Sequence, residues 1–464
     1  MSSLGPEFIV PQMAPAREQP TQKQARDEPP TNEAQGEPIQ PEDTTVEEPS
    51  SPPDDAADSA ATPPDAPTEP AAPPLQLRDP LPPVVDTPKA LAQTAAAVAA
   101  GTGPVALDAE RASGYRYSQR AYLVQLRREG SGTHLVDPIG FDDLTPLQEA
   151  IGDSEWILHA ATQDLMCLAD EGLRPSSLFD TELAGRLLNL PRVGLATLVE
   201  HFLGRSLAKE HSAADWSTRP LPEPWLVYAA LDVEVLVELR DILEEELRKA
   251  GKLEWAMQDF NALLSFTGPA PKTERWRRTS GMHRVRGRRT LGLVRELWET
   301  RDSIAERRDT TPGRVLSDAA LVEIATAAPT DLNALKSLKA VRNRGPRRHL
   351  DEWFSAVEAG LALSEDELPT AGAKHDGPPP PRAWADKFPE AAARLARCRE
   401  VVTSLAEQHD VPPENLVAPQ AVRELAWEPP KPLDLESVSR VLRDAGARPW
   451  QVELVATALR DALR

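Results

Sequence analysis

The chain has 464 residues, 47 of them proline, and a formal net charge of −21 at pH 7. Its length predicts two to four domains. It contains no apolar run of about 18 residues, so we expect no membrane-spanning helix. Its two cysteines, Cys167 and Cys398, fall in separate predicted domains without metal-ligand spacing. We therefore expect no disulfide framework and a reducing, cytoplasmic compartment.

The first predicted region is an acidic, proline-rich tail over residues 1–85. Residues 1–80 contain 16 Asp or Glu against 4 Lys or Arg, together with 18 prolines. A segment of this composition buries too little apolar surface to fold, so we predict that it is disordered. Most of the net negative charge of the chain is therefore expected to lie outside its folded domains.

An α/β domain is predicted over residues 86–260. Ala90–Ala100 is expected to form a helix that leads into an apolar strand over 104–110, which ends with Asp108 and Glu110. Side chains at i and i+2 of a strand share one face, so the two carboxylates point the same way. A second apolar strand begins at Trp156, and Asp164 follows it at the start of a helix.

The later part of this domain supplies two more polar side chains. Tyr228 and Asp232 are spaced i, i+4 in a predicted helix and therefore share one face. Together with the three earlier acids they form a set of four carboxylates and one phenol. Such a set suits a hard divalent cation, Mg²⁺ or Mn²⁺, and suggests two-metal cleavage of a phosphodiester bond.

Residues 102–252 resemble the exonuclease domain of the ribonuclease D family, within the DEDD group of 3′–5′ exonucleases. The run Asp-Trp-Ser-x-Arg-Pro-Leu is the most specific part, because it carries no metal chemistry. The resemblance implies a ribonuclease H-like fold with a mixed β-sheet flanked by helices. The matching segments are Val105–Glu110, His159–Leu165, Leu178–Glu182, Asp215–Leu221 and Tyr228–Val233.

The resemblance also implies a role for each residue of the set. Asp108 would bridge two divalent ions, and Glu110 and Asp232 would complete the site of the ion that activates the attacking water. Asp164 would hold the second ion through water, and Tyr228 would position the nucleophile. These five residues are the predicted catalytic site, and its four acids are the predicted metal ligands.

Three further residues near these motifs have two interpretations each. His159 either contacts substrate or is a hydrogen-bonded histidine at a strand end. Lys209 either binds a substrate phosphate or is an ordinary exposed lysine. Asp180 is expected to order a loop rather than to bind metal. Val227 stands where a sister subgroup has histidine, so the chain resembles the tyrosine subgroup.

A basic linker is predicted over residues 261–283. It overlaps a stretch from Arg275 to Arg289 that contains seven arginines. Arginine suits phosphate contacts, so this stretch either lines the path of RNA or packs on acidic neighbours. The candidate substrate-binding residues in it are Arg275, Arg277, Arg278, Arg284 and Arg286.

Two all-α bundles are predicted to follow. Residues 284–365 have apolar positions at helical spacing and resemble the HRDC domain, which implies an auxiliary nucleic-acid-binding module. Residues 366–382 form an acidic, proline-rich linker. Residues 383–464 form a second, degenerate HRDC-like bundle, because Ile304–Ala325 aligns without gaps to Leu405–Ala426 with 7 of 22 positions identical.

The resemblance implies a 3′–5′ exoribonuclease that uses two Mg²⁺ or Mn²⁺ ions and releases nucleoside 5′-monophosphates. Its expected partners are tRNA precursors and other small structured RNAs, with no organic cofactor, no membrane and a monomeric state. The acidic tail would compete with RNA for basic surfaces or act only as a solubilising segment. A DNA 3′–5′ exonuclease of the same fold and a non-catalytic RNA-binding scaffold remain alternatives.

Overall fold

The computed structural model describes residues 72–208, 211–270, 272–372 and 377–464. The predicted tail up to residue 71 and the candidate Lys209 lie outside the described residues. Within those ranges, no helix combines the length and the apolar character needed to cross a membrane.

One six-stranded mixed sheet forms the centre of the α/β part. Its order is β1-β4-β3-β2-β5-β6, with β3 antiparallel to both β2 and β4 and the other neighbours parallel. The central strand β2 buries Val105, Ala106 and Leu107 on both faces, as an apolar run between two helical layers does. The strands are β1 (Val84–Val85), β2 (Thr102–Arg111), β3 (Ala121–Glu129), β4 (Gly132–Val136), β5 (Glu155–Leu158) and β6 (Ser177–Asp180).

Eight helices flank this sheet, which confirms the predicted fold class of a mixed sheet flanked by helices. The predicted helix over Ala90–Ala100 is present and begins at a cap, because the Thr87 hydroxyl accepts a hydrogen bond from the Ala90 amide. The helices are α1 (Pro88–Ala100), α2 (Thr145–Ile151), α3 (Leu165–Asp170), α4 (Thr181–Leu187), α5 (Leu195–Leu203), α6 (Glu223–Glu234), α7 (Leu236–Lys249) and α8 (Leu253–Leu263).

Residues 72–85, which the composition assigns to the tail, pack against the α/β part. The Leu75 amide donates a 2.8 Å hydrogen bond to the Ser206 carbonyl, and β1 pairs with β4. The side chain of Arg78 reaches Glu238 at 2.6 Å. Backbone pairing holds this segment, and a two-residue strand has no sequence period that could reveal it. The described fold therefore begins before the predicted boundary at residue 86.

Two helical bundles follow the α/β part. The first helical bundle consists of α9 (Arg288–Arg307), α10 (Pro312–Val315), α11 (Asp318–Ala327), α12 (Leu332–Ser337), α13 (Arg344–Arg347) and α14 (Leu350–Ala362). The second helical bundle consists of α15 (Trp384–Lys387), α16 (Pro389–His409), α17 (Pro413–Leu416), α18 (Pro419–Trp427), α19 (Leu435–Asp444) and α20 (Pro449–Ala462). In both, a long helix precedes a one-turn helix and an amphipathic helix, as the repeat predicts.

The repeat extends to backbone conformation at one corner. After the long helix of each bundle, an aspartate has a positive φ angle, 43° at Asp309 and 51° at Asp410. These two residues are 101 positions apart, which is the offset of the sequence repeat. A left-handed residue at this point ends the helix and turns the chain into the next short helix. The two corners are therefore structural equivalents.

Candidate active site

A cavity of about 620 Å³ opens at the carboxyl end of β2. All five residues of the predicted set line it: Asp108, Glu110, Asp164, Tyr228 and Asp232. Strand β2 supplies the first two, the start of α3 the third, and one face of α6 the last two. Carboxylate oxygens of Asp108, Glu110 and Asp232 lie within 4.8 Å of one another. The structure thus brings together every member of the set.

A strained turn delivers Asp164 to the cavity. After β5 ends, Ala160 adopts a left-handed conformation with φ 58°, which is unfavourable for alanine. The buried Asp180 carboxylate accepts hydrogen bonds from the amides of Ala160 and Ala161, at 3.1 and 2.8 Å. The same carboxylate caps α4. Asp180 therefore orders the loop that positions Asp164, which agrees with its predicted structural role.

The carboxylates of the cavity are electrostatically unfavourable to one another. Burial raises the pKa of Asp108, Asp164 and Asp232, and the Asp108 charge raises the pKa of the latter two further. Burial, followed by the charges of Asp108, Asp232 and Asp164, raises the pKa of Glu110 to about 10. A bound divalent cation relieves both the desolvation and the repulsion of such a cluster. The donor set therefore fits a hard divalent metal.

Two polar residues of the site were missed by sequence reasoning. Gln125 lies opposite Asp108 on β3, and its amide donates a 2.6 Å hydrogen bond to Asp108 Oδ2. In a regular strand the side chains of Arg111 and Glu110 would lie on opposite faces of the sheet. A bulge between these two residues turns the Arg111 side chain towards the cavity. Its guanidinium lines the cavity 4.0 Å from Asp164. Among the described lining residues it is the sole Arg or Lys.

The most specific sequence run, Asp215–Leu221, packs behind Tyr228. Trp216 is fully buried, and its ring centroid lies 6.4 Å from that of Tyr228. Arg219 fixes the run by donating two hydrogen bonds to the Asp137 carboxylate, at 2.5 and 2.7 Å. Burial and the neighbouring carboxylates raise the pKa of the Tyr228 hydroxyl, so it keeps its proton at neutral pH. The run thus holds the tyrosine helix in place and needs no metal chemistry of its own.

His159 lines the same cavity but is already hydrogen-bonded. Its Nδ1 lies 2.9 Å from the Thr181 hydroxyl, and burial lowers its pKa to about 4. The imidazole is therefore neutral near pH 7 and offers no positive charge to a phosphate. This geometry matches the hydrogen-bonded interpretation, and a substrate contact stays a prediction.

The predicted basic candidates do not line the cavity: Arg275, Arg277, Arg278, Arg284 and Arg286. Arg275 lies 3.8 Å from Asp302, and Arg277 pairs with Glu274 at 2.8 Å. Arg286 hydrogen-bonds carbonyls of its own turn. The other two are exposed. Much of this stretch is therefore neutralised by internal contacts, and its binding of RNA stays a prediction.

Three family models match the chain in succession. Residues 82–248 match the model described as 3′–5′ exonuclease, and residues 290–357 match the HRDC domain. Residues 377–463 match a model described as 3′ to 5′ exonuclease C-terminal domain. The matches follow the order of the α/β part and the two helical bundles.

Known proteins resemble the chain over most of its length. Ribonuclease D of Gluconacetobacter diazotrophicus is 33% identical over 340 residues, which cover 71% of this chain and 83% of that protein. A solved structure of a protein from Bifidobacterium adolescentis has a TM-score of 0.78 at 38% identity, covering 84% of this chain and 98% of the other. The structure of Escherichia coli RNase D has a TM-score of 0.61 at 27% identity, covering 82% of this chain and 98% of the other. That protein is described as an exoribonuclease involved in structured RNA processing. The chain therefore belongs to the ribonuclease D family, and it is a 3′–5′ exoribonuclease.

Proposed function

We propose that this exoribonuclease shortens structured RNA from the 3′ end, with Asp108, Glu110, Asp164 and Asp232 as its metal ligands and Tyr228 as its fifth catalytic residue. The observation that carries the proposal is the convergence of all five side chains in one cavity. The close approach of three buried carboxylates supports two divalent ions, Mg²⁺ or Mn²⁺, as the cofactor.

The protein side chains contribute orientation and proton placement. When bound, divalent ions supply an activated water and charge stabilisation for the leaving 3′ oxygen. Tyr228 keeps its phenolic proton at neutral pH, so its hydroxyl orients the attacking water by a hydrogen bond rather than by removing a proton. Gln125 holds one oxygen of Asp108 and leaves the other for coordination. Arg111 faces the same cavity and provides a cation for a substrate phosphate.

The substrate class is inferred from the family. The Escherichia coli relative is described as acting in structured RNA processing, which supports tRNA precursors and other small structured RNAs as substrates here. The products are nucleoside 5′-monophosphates. The protein acts as a cytoplasmic monomer without an organic cofactor, and light scattering after size-exclusion chromatography tests the monomer.

The test uses 5′-labelled RNA, with a structured 5′ part and a single-stranded 3′ tail, and a DNA of the same sequence. We expect stepwise shortening of the RNA with Mg²⁺ or Mn²⁺, no reaction in EDTA, and no reaction by Asp108→Asn. The matched control is Asp143→Asn, which removes an exposed carboxylate outside the cavity and should behave as wild type. Equal shortening of the DNA would contradict the RNA assignment, and shortening by Asp108→Asn would contradict the metal site.

Gln125→Met provides a second test with a readout other than activity. Loss of a hydrogen bond to a metal ligand typically weakens metal binding by about 10–100-fold. We therefore expect the Mg²⁺ concentration needed for half-maximal thermal stabilisation to rise by about that factor. Wild type should show the Mg²⁺-dependent rise in melting temperature and Asp108→Asn should not. A Gln125→Met protein with unchanged metal dependence would remove Gln125 from the site.

A further inference from the structure

A dense group of cations lies on the first helical bundle, between the start of α12 and the start of α14. The stretch from α12 to the start of α14 has no Asp or Glu between Asp331 and Asp351. Six basic side chains occur within it, and all six are exposed. These residues, named here the α13 basic surface, are Lys336, Lys339, Arg342, Arg344, Arg347 and Arg348.

The α13 basic surface is not neutralised by ion pairs within the part of the chain that the structure describes, and the nearby Glu323 carboxylate accepts the Ala340 amide at 3.2 Å. None of its six side chains forms an ion pair or a hydrogen bond with a described residue. Several arginines near residue 280 differ; Arg288, for example, donates to the Pro369 and Leu368 carbonyls at 3.2 and 2.9 Å. Six adjacent like charges repel one another, and an anionic ligand relieves that repulsion. The surface therefore has the electrostatic character of a site for a polyanion.

A continuous series of contacts links this surface to the active-site cavity. Ser113 and Gly114 line the cavity, and Tyr115 follows them in the loop between β2 and β3. The guanidinium of the exposed Arg314 lies 4.2 Å from the Tyr115 ring centroid. A Cβ atom placed on Gly345 in α13 would lie 3.9 Å from the Arg314 carbonyl oxygen. The rim of the cavity, α10 and α13 are thus consecutive neighbours.

We propose that RNA whose 3′ end occupies the cavity lays its preceding nucleotides over Arg314 and binds the α13 basic surface through its phosphates. This inference rests on the proposed function. Arginine side chains bind phosphates and stack on bases, and neither contact reads sequence, so the surface holds RNA without choosing its sequence. A short RNA ends before it reaches α13, whereas a tRNA-sized RNA reaches it. The surface therefore favours large substrates over small ones.

The experiment compares two full-length variants that lack the same number of charges. The test variant is R342Q/R344Q/R347Q/R348Q, and the control is K387Q/R399Q/K431Q/R440Q, whose four exposed cations belong to the second helical bundle. The substrates are a dinucleotide and a tRNA-sized RNA with a single-stranded 3′ end. RNA binding is also followed by fluorescence anisotropy at several salt concentrations. Circular dichroism and melting temperature verify that each variant is folded.

We expect kcat/KM of the test variant to fall about tenfold more for the tRNA-sized RNA than for the dinucleotide, because only the larger substrate spans the surface. The slope of log affinity against log salt is negative. Its magnitude should fall by about 0.7 for each RNA phosphate that the variant no longer neutralises. The four-fold Arg→Lys variant should restore that slope, because the charges remain. The control should match wild type in both measurements.

Two outcomes overturn the inference, and a third separates it from the proposed function. An unchanged salt slope and unchanged kcat/KM for the large RNA would show that the surface does not bind RNA, and would leave an acidic protein as its partner. An equal loss with both substrates would place the effect in the cavity rather than on the surface. If wild type hydrolyses neither RNA, the proposed function itself fails. In that case the anisotropy measurements still decide whether the surface binds RNA.

Discussion

The two helical bundles share one architecture but contact the α/β part in different ways. At the corner of the first, the Asp309 carboxylate accepts hydrogen bonds from the Tyr117 and Ser118 amides, at 3.1 and 2.8 Å. At the equivalent corner of the second, the Lys252 ammonium donates a 2.6 Å hydrogen bond to the backbone carbonyl of Asp410. At the second corner the Asp410 carboxylate also accepts a 2.7 Å hydrogen bond from the Asn189 amide group, so that corner combines a main-chain contact with a side-chain contact.

The bundles also differ in charge. Residues 288–362 contain 13 Lys or Arg against 11 Asp or Glu, whereas residues 384–462 contain 10 against 13. The excess cations of the first bundle are concentrated on the α13 basic surface. The second bundle instead contributes Trp450 to a contact with the α/β part. One repeated fold therefore presents a basic surface in one copy and a stacked tryptophan contact with the α/β part in the other.

The largest expected effect concerns the docking of the second bundle. Trp450 is buried and stacks on Trp255 with ring centroids 4.7 Å apart and an interplanar angle of 9°. Trp450→Ala should lower the free energy of unfolding by about 3–5 kcal/mol, because it leaves a cavity at the contact. Urea denaturation measures the loss. Trp450→Phe, which keeps a ring, is the control, and equal losses in the two variants would contradict a role for the stack.

The second prediction concerns a polar contact that only the first bundle has. Arg301 is buried and donates hydrogen bonds to the Leu316 carbonyl and the Asp318 carboxylate, at 3.0 and 2.7 Å. The repeat offset places Val402 and Pro419 at the equivalent positions. Arg301→Val should cost about 1–3 kcal/mol of unfolding free energy, because the Leu316 carbonyl and one oxygen of Asp318 both lose their donor.

The double variant R301V/D318P converts this pair into that of the second bundle and serves as the comparison. We expect it to cost less than the sum of the two single substitutions in urea denaturation, because the Arg301–Asp318 contact is lost only once. Additive losses would show that the pair is not coupled.

The two corner aspartates provide a direct comparison of the docking modes. Asp309→Ala leaves two amides and the Tyr122 hydroxyl without their acceptor, so a loss of about 1–3 kcal/mol is expected. Asp410→Ala removes one exposed hydrogen bond, from Asn189, and a 3.8 Å pair with Lys252 but keeps the backbone carbonyl, so a loss below about 1 kcal/mol is expected. Both variants place alanine in a left-handed conformation, so their difference in unfolding free energy isolates the side-chain contacts. Equal losses would contradict the proposed asymmetry.

The last and smallest prediction is the pH dependence of the first corner. Burial acts to raise the pKa of Asp309, but hydrogen bonds from the Ser118 amide and the Tyr122 hydroxyl outweigh it, so the pKa is lowered. Its stabilisation is therefore complete above the unfolded pKa of about 4 and is lost as pH falls through the lower folded pKa. The stability difference between wild type and Asp309→Ala should shrink on acidification from neutral pH. A difference that grows would contradict the assignment.

Sequence periodicity predicted the elements that position the five cavity residues. The i, i+2 spacing of Asp108 and Glu110 and the i, i+4 spacing of Tyr228 and Asp232 survive folding, because they are local properties of a strand and a helix. Gln125 could not be found in this way, because it faces Asp108 only through the register between β2 and β3. Arg111 enters the cavity through a bulge, which local alternation does not reveal.

Charge concentration in the sequence was a weaker guide to binding surfaces. The arginines near residue 280 are conspicuous in the sequence, but the carbonyls and carboxylates that engage several of them lie up to about 90 residues away, for example Thr370 opposite Arg277. The α13 basic surface has a similar density of cations and no described internal partner. Only the folded arrangement separates a neutralised basic segment from one that is available to a ligand.

The main-chain contact at Asp410 also has an evolutionary consequence. Every amino acid carries the carbonyl oxygen that Lys252 contacts, so replacement of the side chain at that corner leaves the hydrogen bond in place. The first corner depends on a carboxylate and tolerates far fewer replacements. After a duplication, the side chain at the second corner is therefore free to diverge while the Lys252 hydrogen bond persists.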